Sequence, residues 1–327
     1  MSKPRVLLTR PLPGTDRQTD LADAVDLVDL EGRDPEPADL AAAEGAIVVL
    51  PSRLTGEQIE AAPKLRVIAS FSAGTDHIDV AAASRRGIPV VSGQGANARS
   101  VAEFTIAQAI FAHRRLPPMT AELEAGILDW QGRLTKYWPM DEFAGSTLGL
   151  LGYGWIGQAV ERMARLLGAK TVIYDPYQPQ KPNSVESIEE LMRLSDTVSV
   201  HTPLTDTTRG LIGRKELQEL GPNGVLIQAS RGGVVNLDDL AAVLAEGGLR
   251  WAILDVFDSE PPPAETIRLL TASGRVTLTP HVAGVSAQAT DEMARIAIEG
   301  VIDLLLRDKR PATTVNSQVF ENHEGES

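Results

Sequence analysis

Three side chains with complementary acid–base chemistry follow predicted strands in the second half of the chain: Arg231, Glu260 and His281. The strands that precede them are short apolar runs at Gly224–Gln228, Ala252–Asp255 and Val276–Thr279. In a parallel sheet flanked by helices, ligands bind outside the carboxyl ends of the strands. We therefore expect these three side chains to face one cleft.

The chemistry of this set suits the reduction of a ketone that lies next to a carboxylate. A histidine can donate a proton to a developing alkoxide near neutral pH, and a paired carboxylate keeps that histidine protonated and oriented. An arginine binds a carboxylate through two N–H groups and polarises the neighbouring carbonyl. Each residue also has an ordinary structural explanation: a hydrogen-bonded histidine after a strand, a solvated loop glutamate, or an arginine paired with a surface carboxylate.

A glycine-rich turn at Gly152, Gly154 and Gly157 follows the apolar run Leu148–Leu151 and opens a helical pattern. The first glycine permits the tight turn, the second lets the backbone approach a pyrophosphate, and the third lets the helix pack against the strand. Asp175 ends the next predicted strand, where an acidic residue binds the adenosine ribose. The sequence predicts NAD as the cofactor, since Asp175 would repel the 2′-phosphate of NADP. The alternative is an ordinary glycine-rich turn beside a solvated aspartate.

Two series of short apolar strands alternate with helical patterns, which is typical of doubly wound α/β domains. The first series comprises Arg5–Thr9, Ala46–Leu50, Val67–Phe71 and Pro89–Ser92. A long helix, Arg99–Arg115, separates the two series, and Leu116–Pro118 ends it. A final helix, Ser286–Leu306, is long enough to return to the first domain. We predict a discontinuous first domain (1–98 plus 287–318), a second domain (99–286) and a disordered tail (319–327).

The composition describes an acidic globular chain of 327 residues with a formal net charge of −13 and 43% apolar residues. An acidic surface argues against binding to nucleic acid or to an anionic membrane, and no apolar run is long enough to span a bilayer. Cysteine is absent, which excludes disulfides and thiolate metal sites, and no metal site is predicted. No secretory signal pattern is recognised at the N-terminus, so we expect a cytoplasmic protein.

Seven motifs, in order along the chain, resemble those of the D-isomer-specific 2-hydroxyacid dehydrogenases. They begin at Ser72, Gly95, Leu151, His201, Ser230, Asp255 and Thr279, and read SAGTDHID, GAN followed by VAEFT, LGYGWIG, HTPLT, SRGG, DVFDSEP and TPHVAG. The resemblance covers most of the chain and is to the short form of the family, without a regulatory domain. It implies an α/β protein with a Rossmann NAD-binding domain inserted into a flavodoxin-like substrate domain. It also implies reversible reduction of a small 2-oxo acid to the D-2-hydroxy acid, in the range of glyoxylate, hydroxypyruvate and phosphoglycerate.

The resemblance assigns the catalytic roles by position. Arg231 is expected to bind the substrate carboxylate and carbonyl, His281 to donate or accept the proton, and Glu260 to hold His281. The residues expected to bind the substrate along with Arg231 are Arg53, Ser72, Ala73 and Gly74.

The resemblance also implies which residues contact the cofactor. Asp255 is expected to hydrogen-bond the nicotinamide carboxamide, and the amides of Trp155 and Ile156 are expected to face the pyrophosphate. For His201 the alternative is a buried, hydrogen-bonded histidine without a chemical role. The full set of expected cofactor contacts is Thr105, Gly152, Gly154, Trp155, Ile156, Gly157, Asp175, His201, Thr202, Pro203, Thr208, Ala229, Ser230, Asp255 and Gly284.

Some features depart from the family pattern or leave alternatives open. Gln228 stands where the family commonly has asparagine, and three prolines follow Glu260. Arg53 either binds a distal phosphate or carboxylate of the substrate or faces solvent. Hydride abstraction from a phosphorus oxyacid is an alternative reaction, and an NAD-sensing, corepressor-like interaction protein is an alternative of another class.

The resemblance implies a homodimer formed largely through the cofactor domains. The aromatic stretch Trp130–Phe143 is the candidate dimer contact, because large exposed aromatic side chains rarely stay solvated. Tyr137 or Trp138 would then reach the pocket of the partner subunit. The alternative is packing of this stretch within its own chain.

Overall fold

The computed structural model describes residues 3–138 and 140–321. The chain divides into two compact units, one made of the residues up to Asn97 together with those from Val285 onward, and the other of Ala98–Gly284. Within the described ranges, no helix is both long and apolar enough to cross a membrane.

The first unit contains a parallel sheet of five strands in the order β2-β1-β3-β4-β5, which is the flavodoxin-like order. Its strands are β1 (Arg5–Leu8), β2 (Asp26–Asp29), β3 (Gly45–Val48), β4 (Val67–Ser70) and β5 (Val90–Ser92). Its helices are α1 (Gln18–Ala24), α2 (Pro37–Ala42), α3 (Gly56–Glu60), α4 (Val80–Arg85) and, late in the chain, α13 (Ala287–Leu306). Apolar side chains fill both faces of the sheet, with α1 and α13 on one face and α2, α3 and α4 on the other.

The last described residues complete the open edge of this sheet. Thr314 bridges Val91 of β5 in antiparallel orientation. The Asn316 side chain accepts a hydrogen bond from the Val90 N–H at 2.8 Å and donates one to the Ile88 carbonyl at 2.9 Å. Val319 is 2% exposed in a 3₁₀ turn at Ser317–Phe320. The expectation of disorder is therefore wrong for the first residues of the predicted tail, and residues 322–327 lie outside the described residues.

The second unit contains a parallel sheet of six strands in the order β11-β10-β9-β8-β6-β7. The strands are β6 (Thr147–Leu151), β7 (Lys170–Tyr174), β8 (Thr197–Val200), β9 (Val225–Gln228), β10 (Trp251–Leu254) and β11 (Val276–Leu278). A single parallel bridge between Ile173 and Ser184 stands where a further strand would pair with β7. With that bridge included, the order is that of a Rossmann domain, and the chain reverses its direction of winding between β6 and β8.

Helices cover both faces of this second sheet. One face packs against α5 (Ala98–His113) and α8 (Trp155–Leu166). The other face packs against α9 (Ile188–Leu194), α10 (Arg214–Leu220), α11 (Leu237–Ala245) and α12 (Ala264–Thr271). The predicted fold class, two doubly wound α/β domains with the Rossmann domain inserted into the flavodoxin-like one, is confirmed.

The segment between α5 and β6 contains two further helices, α6 (Leu116–Glu124) and α7 (Arg133–Tyr137). Arg115 takes a left-handed backbone conformation with φ 51°, which ends α5. The following prolines do more than end a helix, since Pro117 lies in the first turn of α6, where a missing N–H costs nothing. The aromatic stretch divides into two classes: Tyr137 and Phe143 are buried, whereas Trp130 and Trp138 are 60% and 69% exposed.

Candidate active site

The glycine-rich turn joins β6 to α8, and its three glycines differ in their surroundings. Gly152 has φ +94°, and a Cβ there would lie 2.9 Å from the carbonyl oxygen of His201 in the loop after β8. A Cβ on Gly157 would collide with the Gly152 carbonyl, so this glycine lets the helix start close to the turn. A Cβ on Gly154 would meet no atom within 4 Å. Space for a ligand therefore lies beside Gly154, at the N-terminus of α8.

Asp175 follows β7 and holds the turn in place. Its carboxylate accepts hydrogen bonds from the N–H groups of Tyr153 at 2.8 Å and of Tyr177 at 2.9 Å. An ionised carboxylate has about four acceptor positions, so each oxygen can still accept a bond from a ribose hydroxyl. The structure thus gives Asp175 a second task, beyond the cofactor contact predicted from the sequence.

Two buried polar atoms in the second unit are consistent with a bound dinucleotide. Neither Oγ1 of Thr105 nor Nδ1 of His201 has a hydrogen-bond partner among the described residues. Buried polar atoms are paired in the great majority of native structures, so such atoms mark a missing partner. Together with the open space at Gly154, they show that the residues present fit a dinucleotide cofactor.

His201 itself is not an acid–base group. Burial lowers the pKa of its imidazole to about 3, so the ring is neutral near pH 7. Its Nε2 lies 2.9 Å from the Ser199 hydroxyl. The loop that follows is closed locally, with the Thr208 hydroxyl donating to the Pro203 carbonyl at 2.6 Å. The geometry favours a partly buried histidine whose backbone shapes the turn.

Arg231 lies in a turn after β9 that the side chain of Gln228 holds closed. The amide of Gln228 donates to the Arg231 carbonyl at 2.8 Å and accepts from the Ser230 hydroxyl at 2.9 Å. Gln228 is 1% exposed, so these bonds are shielded from water. The glutamine at this position therefore closes the turn, and the guanidinium of Arg231 is left half-buried.

Glu260 and His281 form a direct pair across neighbouring loops. Nδ1 of His281 lies 2.7 Å from Oε2 of Glu260, and the other carboxylate oxygen accepts the Phe257 N–H at 3.2 Å. The side chains are 48% and 38% exposed, so a substrate can reach them. With Nδ1 engaged by the carboxylate, Nε2 is the ring nitrogen that can face a reacting oxygen.

The three catalytic candidates lie on loops at one edge of the sheet, since β9, β10 and β11 are neighbours. The Arg231 loop also packs against the Glu260 loop. A Cβ on Gly232 would collide with the Phe257 carbonyl, and the Gly233 N–H donates to the Asp258 carboxylate at 2.7 Å. An apolar group formed by Val101, Phe104, Ile156, Ala229 and Ala283 lies within the same unit. The predicted convergence of Arg231, Glu260 and His281 on one sheet edge is present in the structure.

Asp255 is the buried residue beneath this edge, at 1% exposure. Its carboxylate accepts bonds from the Thr279 hydroxyl and from the N–H groups of Val282 and Ala283. Thr279 was not among the site residues predicted from the sequence. A hydroxyl residue at the end of a strand next to one that ends in aspartate could have indicated this hydrogen bond. The expected contact of Asp255 with the nicotinamide carboxamide stays a prediction.

The predicted substrate residues Arg53, Ser72, Ala73 and Gly74 belong to the first unit, where they follow β3 and β4. The Ser72 and Ser70 hydroxyls both donate to the Gly74 carbonyl, at 2.6 and 2.9 Å, and so close the loop. Arg53 is exposed. Among the described residues, no group of three His, Asp or Glu side chains is arranged to hold a metal ion.

Together, the Rossmann domain, its glycine turn and the His–Glu–Arg edge define a nicotinamide-dinucleotide-dependent oxidoreductase. Comparison with known proteins agrees. A family model described as D-isomer specific 2-hydroxyacid dehydrogenase, NAD binding domain, matches residues 106–283. The chain belongs to the D-isomer specific 2-hydroxyacid dehydrogenase family. The predictions of this family, of NAD as the cofactor and of a dehydrogenase as the class of enzyme are confirmed.

Individual relatives show the extent of the similarity. The chain is 32% identical to a glyoxylate reductase of Thermofilum pendens, over 98% of this chain and 97% of the relative. It is 35% identical to a D-3-phosphoglycerate dehydrogenase of Methanocaldococcus jannaschii over 81% of this chain, but spans only 50% of that relative's length. The holo form of Rhodotorula graminis D-mandelate dehydrogenase is similar in structure, with a TM-score of 0.86, 25% identity, and coverage of 96% of this chain and 98% of that chain.

Proposed function

We propose that this protein reversibly reduces a small 2-oxo acid to the D-2-hydroxy acid with NADH. The observation that carries the proposal is the 2.7 Å contact between His281 and Glu260, at the same sheet edge as Arg231. The names of the relatives, glyoxylate reductase, hydroxypyruvate reductase and D-3-phosphoglycerate dehydrogenase, support substrates in the range of glyoxylate, hydroxypyruvate and phosphoglycerate.

The proposed mechanism assigns one task to each side chain. Nε2 of His281 donates its proton to the substrate oxygen during reduction and takes it back during oxidation. Glu260 keeps the ring oriented through its contact with Nδ1. Arg231 binds the substrate carboxylate and draws electron density from the adjacent carbonyl. NADH, when bound, supplies the hydride.

The residues that hold the cofactor are proposed from the same geometry. The N-terminus of α8, with the amides of Trp155 and Ile156, suits the pyrophosphate. Asp175 suits the adenosine ribose and disfavours a 2′-phosphate. The remaining contacts are those expected from the sequence: Thr105, Gly152, Gly154, Gly157, His201, Thr202, Pro203, Thr208, Ala229, Ser230, Asp255 and Gly284.

Residues of the first unit are also proposed to bind substrate. The main-chain N–H groups of Ala73 and Gly74, in the loop closed by Ser70 and Ser72, are proposed to bind the substrate carboxylate. Arg53 is proposed to bind a distal anionic group when the substrate has one. We also propose a homodimer, supported by the exposed indoles of Trp130 and Trp138.

The test is the loss of NADH absorbance in the presence of a panel of 2-oxo acids, with NADPH in parallel. We expect rapid turnover of at least one 2-oxo acid, and faster turnover with NADH than with NADPH. Comparison of glyoxylate with phosphohydroxypyruvate shows whether a distal anion, and hence Arg53, contributes. Tight NADH binding without turnover of any 2-oxo acid would contradict the proposal and favour an NAD-sensing interaction protein or an unusual hydride donor.

A further inference from the structure

The carboxylate of Asp255 accepts three hydrogen bonds from one loop. Its Oδ1 accepts the Thr279 hydroxyl at 2.6 Å and the Val282 N–H at 2.9 Å. Its Oδ2 accepts the Ala283 N–H at 2.8 Å. All three donors belong to residues 279–283, the loop after β11 that carries His281. About three of the four acceptor positions of the carboxylate are therefore used within the protein.

The backbone of the same loop is also held by the end of β10. The His281 N–H donates to the Asp255 carbonyl at 2.9 Å, and the Thr279 N–H donates to the Leu254 carbonyl at 3.0 Å. His281 has φ +55°, in the left-handed region that residues other than glycine adopt uncommonly. Such a conformation persists only where its surroundings over-determine it. Here the surroundings are the side chain and the carbonyl of Asp255.

We propose that Asp255 is a positioning residue for proton transfer, and that the Thr279 hydroxyl anchors it. By fixing residues 279–283, Asp255 holds His281 in its left-handed conformation and keeps the imidazole within hydrogen-bond distance of Glu260. The proposal rests on the proposed function for the role of His281. It concerns the conformation of this chain itself and does not require a contact between Asp255 and the cofactor.

The geometry supports a positioning task for Asp255 beside the proposed cofactor contact, since one of its acceptor positions is not used by the loop. Asp255 is 1% exposed and already accepts three hydrogen bonds. Removal of any one of these donors is therefore expected to change the conformation of residues 279–283 more than the affinity for the cofactor.

The test uses Thr279→Val, which keeps the shape of the side chain and removes the donor, with Thr279→Ser as the conservative variant. Thr277→Val is the matched control. Thr277 lies on β11, two residues earlier, and its hydroxyl accepts the Trp251 indole N–H at 2.9 Å, away from Asp255. We expect Thr279→Val to lower kcat about 10-fold or more, a partial loss of the roughly 10²–10⁴-fold contribution of general acid–base catalysis, with the NADH dissociation constant unchanged within about 2-fold. Thr279→Ser should restore kcat, and Thr277→Val should leave it unchanged.

A second measurement does not depend on turnover. The chain has five histidines, so imidazole signals of ¹⁵N-labelled protein can be assigned by substitution. We expect the Nδ1 signal of His281 to have the chemical shift of a hydrogen-bonded nitrogen in the wild type and in Thr279→Ser. In Thr279→Val this signal should disappear or shift markedly.

Two results would overturn the inference. One is a Thr279→Val variant with normal kcat and an unchanged His281 signal. The other is an Asp255→Asn variant that loses NADH affinity while its His281 signal stays that of the wild type, which would make Asp255 a cofactor ligand. Failure of the proposed function is a separate outcome, because the wild type would then turn over no 2-oxo acid, whereas the His281 signal could still be measured in each variant.

Discussion

The backbone of His281 is the most demanding feature of the site at the residue scale. A left-handed conformation costs an L-residue roughly 1–2 kcal/mol. The hydrogen bonds from residues 279–283 to Asp255 offset that cost, since a bond to a charged group is worth about 1.5–3 kcal/mol. Hydrogen bonds to the buried carboxylate thus hold the backbone of His281 in a strained conformation. That conformation places the imidazole ring next to Glu260.

His281→Ala and Arg231→Ala should each lower kcat/KM by about 10²-fold or more, because each removes a group that acts on the reacting oxygen or the carboxylate. Steady-state kinetics on the best 2-oxo acid provide the measurement. Thermal unfolding provides the control, and neither variant should unfold much earlier than the wild type, since neither side chain belongs to the buried core. Near-normal turnover by His281→Ala would remove that residue from the mechanism.

Asp175→Ala should weaken the binding of both cofactors and narrow the preference for NADH over NADPH. Binding weakens because the carboxylate also holds the Tyr153 and Tyr177 N–H groups. The preference narrows because a negative charge near the 2′-phosphate is lost. The measurement is the ratio of kcat/KM for NADH to that for NADPH. An unchanged ratio would show that Asp175 does not discriminate between the cofactors.

Sequence patterns predicted only those parts of the site in which the type and spacing of the residues indicate their chemistry. Spacing and charge were enough to predict the glycines of the glycine-rich turn, Asp175, and the pairing of Glu260 with His281. The closing of the Arg231 turn by Gln228 and the bonding of Thr279 to Asp255 do not, because they depend on side-chain directions between loops that are distant in sequence. A sequence pattern can indicate that a residue is buried, but it does not show which side chain that residue contacts.

At the scale of elements, the short apolar strands were predictable, including β5 and β11 at sheet edges, whereas the more polar edge strand β2 was not. β2 (Asp26–Asp29) was absent from the predicted strands because its Asp-Leu-Val-Asp sequence, with a charged residue at each end, lacks the continuous apolar run of a central strand. It lies at the edge of the first sheet, where polar residues are tolerated. Residues 319–321 were likewise assigned to a disordered tail, although Val319 is buried in the 3₁₀ turn Ser317–Phe320, next to Asn316 at the opposite edge of the sheet.

A buried polar group ties α8 to β7 beneath the glycine turn. Glu161 is 8% exposed and accepts bonds from the hydroxyls of Tyr153 and Thr171 and the amide of Asn183. Burial alone would raise the pKa of Glu161, but these bonds, together with nearby Arg165, hold it below the ordinary 4.5. Burial and the bond to Glu161 raise the pKa of the Tyr153 hydroxyl to about 12, so it stays a donor.

Glu161→Gln should lower the free energy of unfolding at neutral pH by about 1–3 kcal/mol, because buried donors lose their charged acceptor. The folded-state pKa of Glu161 is lowered, so its stabilisation is complete above pH 4.5 and is lost as the pH falls below that value. Urea titrations at several pH values should show the gap between variant and wild type narrowing in acid. Glu219→Gln, at an exposed position of α10, is the control and should change little. A gap that does not depend on pH would contradict this account.

At the scale of the whole molecule, the exposed apolar groups concentrate between α6 and β6. Ile127, Trp130, Leu134 and Trp138 are each more than half exposed. Light scattering after size exclusion should give twice the 35.0 kDa chain mass for the wild type. The double variant Trp130→Asp with Trp138→Asp should shift the mass toward a monomer, because a charge at an apolar contact is costly to desolvate.

Leu306→Asp, at the exposed end of α13, is the matched control for this shift and should leave the mass unchanged. A wild-type mass of one chain would contradict the proposed dimer. A dimer that survives both aspartates would place the contact elsewhere on the chain.

The late position of α13 has a consequence for synthesis of the chain. Its Ala294, Ala297 and Val301 complete the core over β1, β3 and β4, yet they leave the ribosome after the entire second unit. At about 5–20 residues per second, the roughly 190 intervening residues take about 10–40 s to translate. During that time the second unit can fold, while the first exposes the apolar face that α13 will cover. Nascent chains arrested once Gly284 has cleared the exit tunnel should therefore resist protease in the second unit alone, and that apolar face is where a nascent-chain chaperone would bind.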